Sequence, residues 1–139
     1  MKVAIVTDDN RTISPHFGRA QYYLVYEIQD GRVLSKEVRP KSSHNHHEMM
    51  NLHSHYEEEK ISTELEPHQG AASEASLHDK MLSNVRDCEA IIARGMGVGM
   101  YGSIRQLGIT PYVTSTELAD DAVQAFIKGT LDDHIERLH

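Results

Sequence analysis

Two β-patterned runs joined by Asp30-Gly31 constrain the fold of this chain more than any other feature. The runs Gln21–Ile28 and Arg32–Arg39 are rich in aromatic and β-branched residues, and a two-residue Asp-Gly connection is a strong signal for a tight antiparallel hairpin. The apolar run Lys2–Thr7 precedes them and has the composition of a buried central strand. The first part of the chain is therefore predicted to form three strands.

The last part of the chain alternates helical and strand patterns. Two short apolar runs, Ala90–Ala93 and Ile109–Thr114, are predicted strands, and apolar residues at helical spacing predict helices before, between and after them. We expect Thr116 to cap the last of these helices and Gly129 to end it, as Gly108 ends the helix before. Because β-α-β units have parallel strands, the sequence predicts an α/β fold with a mixed five-stranded sheet flanked by helices.

A polar stretch from Pro40 to Ser76 separates these two patterns. It holds seven Glu against two Lys, a net charge of −5 out of the chain's −7, together with six of the ten histidines. A chain of 139 residues fits one domain, and a connection of this length inside a small domain is an unusual feature. We therefore predict a single domain, residues 1–139, with a His/Glu-rich insert at 40–76.

Composition excludes several classes of protein. The single cysteine, Cys88, rules out an internal disulfide and a self-sufficient four-cysteine metal site, and it fits a reducing compartment. A formal charge of −7 argues against non-specific nucleic-acid binding, and the apolar runs are too short for a transmembrane helix. The chain opens on a strand pattern with no signal peptide. We expect a cytoplasmic, monomeric protein that binds neither nucleic acid nor membrane.

The loop after the first strand is the first candidate site, because ligands of open α/β sheets bind at the carboxyl ends of the strands. His16 offers a metal ligand or a proton carrier, Phe17 would anchor the loop, and Gly18 would permit an unusual backbone angle. Arg11 and Arg19 offer positive charge for an anionic ligand. The alternative is a loop histidine without a functional role.

The glycine-rich turn that begins after Arg94 is the second candidate site. It joins a predicted strand to a helix, so Gly95, Gly97 and Gly99 could present backbone N–H groups to an anion. Gly97, Gly99 and Gly102 formally match the dinucleotide-binding fingerprint, but that fingerprint belongs after the first strand of a larger cofactor fold. Anion or cluster binding and a tight turn without a ligand both remain open.

The histidines of the insert are the third candidate site. Their spacings suit zinc, nickel or copper, although such segments are often flexible and bind metal only adventitiously. The predicted metal ligands here are His44, His46, His47, His53 and His55.

Several segments together resemble the dinitrogenase iron–molybdenum cofactor biosynthesis family. The opening Val3–Asp9 and the following Ile13–Ala20, with its Ser-Pro-His-Phe-Gly-Arg core, resemble the beginning of that family. The later Cys88–Gly97 resembles its strand and glycine-rich turn, and Leu107–Val113 resembles the strand that follows. The resemblance extends over nearly all of 1–39 and 77–130.

The resemblance implies a ribonuclease-H-like fold and a non-enzymatic protein that binds and carries an anionic metal–sulfur cluster. The cluster would be the iron–molybdenum cofactor, its precursor, or a molybdenum–copper sulfide cluster of the kind held by the orange-protein branch. His16 falls on the family's candidate cluster ligand, and the partners would be cofactor-biosynthesis or acceptor proteins. If the first and fourth strands are neighbours, as this fold implies, the His16 loop and the glycine turn face each other.

Two alternatives to cluster carriage remain. One is a divalent-metal buffer or sensor that binds zinc, nickel or copper through the histidines of the insert. The other, a minor alternative, is a ribonuclease-H-like nuclease, because Asp8 lies where that fold places its first catalytic carboxylate. Metal-dependent phosphoryl chemistry needs several converging acids, whereas the fourth predicted strand ends at Arg94.

Overall fold

A mixed five-stranded sheet lies at the centre of residues 1–41 and 77–139, the part of the chain that the computed structural model describes. The sheet has the order β3-β2-β1-β4-β5, with β1–β2 and β2–β3 antiparallel and β1–β4 and β4–β5 parallel. Its strands are β1 (Lys2–Thr7), β2 (Tyr22–Gln29), β3 (Arg32–Pro40), β4 (Ala90–Ala93) and β5 (Thr110–Val113). The predicted α/β fold is confirmed, and this order is compatible with the ribonuclease-H-like arrangement.

The helices lie between and after the later strands, as predicted. Residues 77–82 are helical and continue into a 3-10 turn, Ser83–Val85. The two later helices are α1 (Val98–Gln106) and α2 (Ala119–Lys128), and Gly129 ends α2 with a φ of 76°. In the described ranges no helix combines the length and the apolar character needed to cross a bilayer.

The insert histidines His44, His46, His47, His53 and His55 lie outside the described residues, so their predicted metal role remains a prediction. The described part of the predicted insert begins with Pro40, which still pairs with Tyr22 as the last residue of β3.

The predicted hairpin between β2 and β3 is confirmed. Asp30 and Gly31 both adopt positive φ angles, 53° and 74°, as a tight turn between right-twisted strands requires. The hairpin places β2 beside β1, where the side chains of Val3–Val6 are fully buried. The hydroxyl of Tyr23 donates to the carbonyl of Met81 at 2.6 Å and so ties the 77–85 segment to the sheet.

Thr116 is not the N-cap of the last helix, contrary to the prediction. The N-cap of α2 is Leu118, which makes no side-chain capping bond and bridges antiparallel to Thr12. The N–H of Ala119 donates to the carbonyl of Arg11 at 2.9 Å. Because this long-range pairing keeps the chain extended through Leu118 and satisfies the first helical N–H, the helix begins later than the local signal indicates.

The neighbouring strands β1 and β4 determine the position of the site. Their carboxyl ends lie at one edge of the sheet, and the loops that follow them are joined by backbone hydrogen bonds. Ser14 N–H donates to the carbonyl of Val6 at 2.9 Å and ties the first loop to β1. Two further bonds join the loops: Phe17 N–H donates to the carbonyl of Gly95 at 3.0 Å, and Arg94 N–H donates to the carbonyl of Ser14 at 3.4 Å. The His16 loop and the glycine turn therefore lie next to each other, as expected.

Candidate functional site

A pocket of about 390 Å³ opens where the loop after β1 meets the turn after β4. Residues 16–19 form one side, and residues 96–100 at the start of α1 form another. Two histidines from distant parts of the sequence, His78 and His139, complete the described lining. The pocket lies at the carboxyl edge of the parallel strands, where ligands of open α/β sheets bind.

Six of the nine predicted cofactor-binding residues line this pocket and three do not. Arg11 is exposed outside the pocket, and Arg94 and Gly95 lie behind the turn rather than at its surface. The six lining residues are His16, Phe17, Gly18, Arg19, Gly97 and Gly99.

Asp9 organises the start of the first loop. Its carboxylate accepts hydrogen bonds from the backbone N–H groups of Thr12 at 2.8 Å and Arg11 at 3.0 Å. These two bonds lower the pKa of Asp9 to about 2, and the Thr12 hydroxyl adds a further bond at 2.9 Å. Asp9 therefore stays ionised and stabilises the conformation of the loop, and it does not line the pocket.

Phe17 anchors the His16 segment in the core. Its ring is 1% exposed, packs edge-on against Tyr23, and lies 4.9 Å from the ammonium nitrogen of Lys41. The Lys41 ammonium also donates to the carbonyl of Ala20 at 3.1 Å, and burial lowers its pKa to about 8. A buried ring and a buried ammonium thus hold the 3-10 turn Phe17–Arg19 from behind and leave His16 exposed at the pocket.

The glycines of the second loop have different roles. Gly95 is buried, and a Cβ there would come within 2.5 Å of the carbonyl oxygen of Pro15, so this glycine permits the close approach of the two loops. Gly97 is the N-cap of α1, and Gly99 lies in its first turn beside His78. The N–H of Val98 donates to the carbonyl of His139 at 3.0 Å, so one of the predicted anion-binding groups contacts the chain itself.

Sequence reasoning missed five lining residues, which are His78, Met96, Val98, Met100 and His139. His78 comes from the 77–85 segment, and its Nδ1 lies 3.1 Å from the hydroxyl of Ser103 on α1. His139 is attached to the glycine turn through its own main chain, because its N–H donates to Met96 at 3.3 Å. No spacing rule connects these positions to His16, because only the path of the folded chain brings them together.

Arg94 adjoins the site without lining it, whereas Cys88 lies before β4, at the opposite edge of the sheet. The Nε of Arg94 is buried and makes no hydrogen bond to any residue of the described ranges. Burial raises the pKa of the Cys88 thiol to about 12, with the negative charge of Asp87 adding to the effect. Cys88 therefore stays a thiol and packs as a small hydrophobic residue.

The described histidines, cysteine and carboxylates do not form a single-ion metal site. Among residues 1–41 and 77–139, no three of these side chains come together around a common point.

Comparisons with known proteins agree with the fold and identify a family match. A family model described as dinitrogenase iron–molybdenum cofactor matches residues 1–129. An uncharacterized protein from Methanocaldococcus jannaschii is 30% identical over 132 residues, which span 95% of this chain and 90% of that protein.

Two solved structures show the same fold at lower sequence identity. The crystal structure of PH0822 is 22% identical with a TM-score of 0.62, over 98% of this chain and 96% of that one. The apo form of the orange protein from Desulfovibrio gigas is 14% identical with a TM-score of 0.54, over 95% and 91% of the two chains. At these identities the likeness shows a common fold.

Proposed function

This chain belongs to the dinitrogenase iron–molybdenum cofactor family, whose model matches residues 1–129, and from that premise we propose that it binds and carries an anionic metal–sulfur cluster. The cargo is the iron–molybdenum cofactor, a precursor of it, or a molybdenum–copper sulfide cluster. The protein catalyses no reaction on this cargo and passes it to a cofactor-biosynthesis or acceptor protein. The proposed binding place is the pocket between residues 16–19 and 96–100.

One observation carries this proposal, which is that two separate candidate loops converge on one pocket. His16 and the glycine turn are far apart in sequence, yet they line the same cavity of about 390 Å³. That volume is within the roughly 300–1,000 Å³ of small-molecule sites and can admit a compact cluster of several metal and sulfide atoms.

The charge of the lining supports an anionic cargo. The chain as a whole carries −7, but no Asp or Glu occurs among the described residues that line the pocket, whereas Arg19 does. The glycine turn adds backbone N–H groups at the N-terminus of α1, where the helix dipole favours negative charge. A lining without acidic side chains in an acidic protein favours an anion over a cation.

The donor types in the lining support carriage over permanent retention. Imidazole and thioether side chains are neutral donors for soft or borderline metals, and the described lining contains no thiolate. A carrier must also release its cargo, and a few neutral ligands together with backbone N–H contacts allow faster release than several thiolates would.

Cluster retention by the apo protein tests the proposal. The protein is incubated anaerobically with tetrathiomolybdate and copper(I), or with isolated iron–molybdenum cofactor, and then desalted. We expect molybdenum and sulfide to remain bound in a stoichiometric amount, with a visible absorption band. His16→Ala should reduce retention without changing the thermal unfolding curve, and Gln124→Ala, at an exposed position of α2 outside the pocket, should leave retention unchanged. A wild-type protein that retains no molybdenum would contradict the proposal.

The histidine density of the insert supports a second candidate function, a divalent-metal buffer or sensor. Six of the ten histidines lie between Pro40 and Ser76. Replacing residues 42–76 with a short Gly-Ser linker should abolish stoichiometric zinc, nickel or copper binding if the insert is the metal site. Retained binding in the shortened protein would contradict this second candidate, and unchanged cluster retention would show that the two activities are separate.

A further inference from the structure

We propose that His78 and His139 are ligands of the cluster in addition to His16, so that three imidazoles from three separate chain segments hold the cargo. This inference rests on the proposed function and assigns the residues that carry it. Of these three histidines, the resemblance to the family gives a ligand role to His16 alone, whereas His78 and His139 enter because the folded chain brings them to the wall of the same pocket.

The surroundings of His78 suit a metal ligand. Its imidazole lies against the glycine turn, because a Cβ on Gly99 would be 3.3 Å from His78 Cε1. Its Nδ1 lies 3.1 Å from the hydroxyl of Ser103. In the tautomer that donates Nδ1–H to Ser103, the lone pair is on Nε2, and metal-binding histidines are commonly oriented by such a second hydrogen bond. Coordination through Nε2 preserves the Ser103 contact.

The main chain of His139 is held at the pocket by two backbone hydrogen bonds. Its N–H donates to the carbonyl of Met96 at 3.3 Å, and its carbonyl accepts from the N–H of Val98 at 3.0 Å. Both partners belong to the segment 96–98, so these bonds fix the position of the His139 backbone at the edge of the pocket. Removing its imidazole leaves both backbone bonds possible, which makes His139→Ala a clean test.

The spread of the three imidazoles distinguishes a cluster from a single ion. The described His, Cys, Asp and Glu side chains do not gather in threes around one point, as the ligands of a single zinc ion do. A metal–sulfur cluster presents metal atoms at several positions on its surface. Imidazoles from three segments of one pocket lining can each bind a different metal atom of such a cluster.

Two methionines extend this soft-donor lining. Met96 and Met100 line the pocket beside the histidines and are 1% and 6% exposed. Thioether sulfur is a soft, weak ligand and a polarizable packing surface, which suits contact with sulfide-rich cargo. The pocket thus combines imidazole, thioether and backbone N–H groups around a cavity with one cationic side chain, Arg19, in its described lining.

Retention of a defined probe by single variants tests the inference. Apo protein and its His16→Ala, His78→Ala and His139→Ala variants are loaded anaerobically with tetrathiomolybdate and copper(I), and molybdenum loss is followed after desalting. We expect each variant to lose molybdenum about tenfold faster than wild type or more, since even outer-shell partners of a metal ligand change affinity by roughly 10–100-fold. Gln124→Ala, at an exposed position of α2 outside the pocket, is the control and should behave as wild type.

The outcomes separate this inference from the proposed function. Wild-type retention that only His16→Ala weakens would overturn the roles of His78 and His139 and leave cluster carriage standing. No retention by wild type would overturn both proposals. An equal loss in Gln124→Ala would also overturn the inference, because a substitution outside the pocket would then have the same effect.

Nitrogen-15 NMR of the imidazole side chains gives a second readout that does not depend on retention. On loading, the ring nitrogens of His16, His78 and His139 should shift, while those of His134 should not. Ser103→Ala should weaken retention less than His78→Ala does and should alter the His78 ring signals, because it removes the orienting contact and keeps the ligand. Unshifted His78 and His139 signals in a loaded sample would refute the inference.

Discussion

The carbonyl oxygen of Pro15 lies against Gly95 so closely that a Cβ on that glycine would come within 2.5 Å of it. The contact joins the loop after β1 to the turn after β4, and the N–H of Phe17 donates to the carbonyl of Gly95 in the same place. The two halves of the candidate site are therefore held together by backbone, which cannot move aside as a flexible side chain can.

Gly95→Ala should destabilise the protein because the added methyl group must push the two loops apart. Overpacking of this kind typically costs about 1–3 kcal/mol, which urea unfolding would measure. Gly102→Ala is the matched control, since its Cβ would meet nothing within 4 Å in the interior of α1. That change should be neutral or should stabilise by roughly 0.5–1 kcal/mol. Equal effects at the two glycines would contradict the packing argument.

Arg19 and Arg11 should differ in their effect on cluster binding, although the sequence presents them as equivalent. Arg19 lines the pocket and Arg11 does not. Arg19→Gln should therefore weaken cluster retention by a few fold, because an exposed charge contributes up to about 1 kcal/mol, and should reduce its sensitivity to salt. Arg11→Gln should leave both unchanged. The measurement is cluster retention by both variants over a series of salt concentrations. An equal effect of the two substitutions would contradict the placement of Arg19 at the binding pocket.

Lys41 should give the protein a measurable pH dependence. Burial lowers its pKa from 10.5 to about 8 in the folded state. The unfolded state therefore binds more protons between these values, so this group adds stability as pH rises from about 8 to 10.5. Lys41→Met should remove that contribution, on the order of a few kcal/mol, while keeping the side chain's length.

The measurement for Lys41 is the difference between wild type and variant in urea unfolding across this pH range. The difference is needed because the buried Cys88 thiol acts in the opposite direction. Its pKa is raised from 9.0 to about 12, so it lowers stability as pH rises above 9.0. Cys88→Ala should therefore increase stability at high pH relative to wild type. A pH-independent difference between wild type and Lys41→Met would contradict the role of the buried ammonium.

Asp132 should hold the segment after α2 against β5 within a limited pH window. It accepts hydrogen bonds from the hydroxyls of Thr114 and Ser115 and the Ser115 N–H, and it lies 2.8 Å from Nε2 of His134. Burial acts to raise the pKa of Asp132, but the Ser115 and Thr114 bonds outweigh it and hold that pKa well below 3.8. The contacts with Glu136 and Asp132 raise the pKa of His134 above 6.5.

The signs of these shifts define the window. The contribution of Asp132 is present above about pH 3.8 and is lost as the pH falls through its lowered folded-state pKa. The contribution of His134 is complete below about pH 6.5 and is lost as the pH rises through its raised folded-state pKa. The protection of residues 130–139 against hydrogen exchange, taken relative to the intrinsic rate at each pH, should therefore be greatest between these limits. Asp132→Asn should speed exchange and flatten the pH profile, and an unchanged profile would contradict the assignment.

Local sequence signals predicted the elements that depend on neighbouring residues. The Asp30-Gly31 turn, the strand Ala90–Ala93 and the helix-ending Gly129 are all where the sequence placed them. Each depends on the backbone preference of one or two residues or on the burial of a short apolar run, and both can be read from a few neighbouring residues. Thr116 failed as a cap because a distant strand-like pairing, between Thr12 and Leu118, competes with the local signal and satisfies the helix start.

The sequence by itself determined the sheet-forming runs, the His16 loop and the glycine turn, because their spacing and composition are local properties of the chain. The tertiary structure alone decided which of these groups meet. It placed Arg19 at the pocket and Arg11 outside it, and it brought His78 and His139 to the same wall. The physical reason is that such convergence depends on strand order and on backbone hydrogen bonds between distant segments, which no local pattern contains.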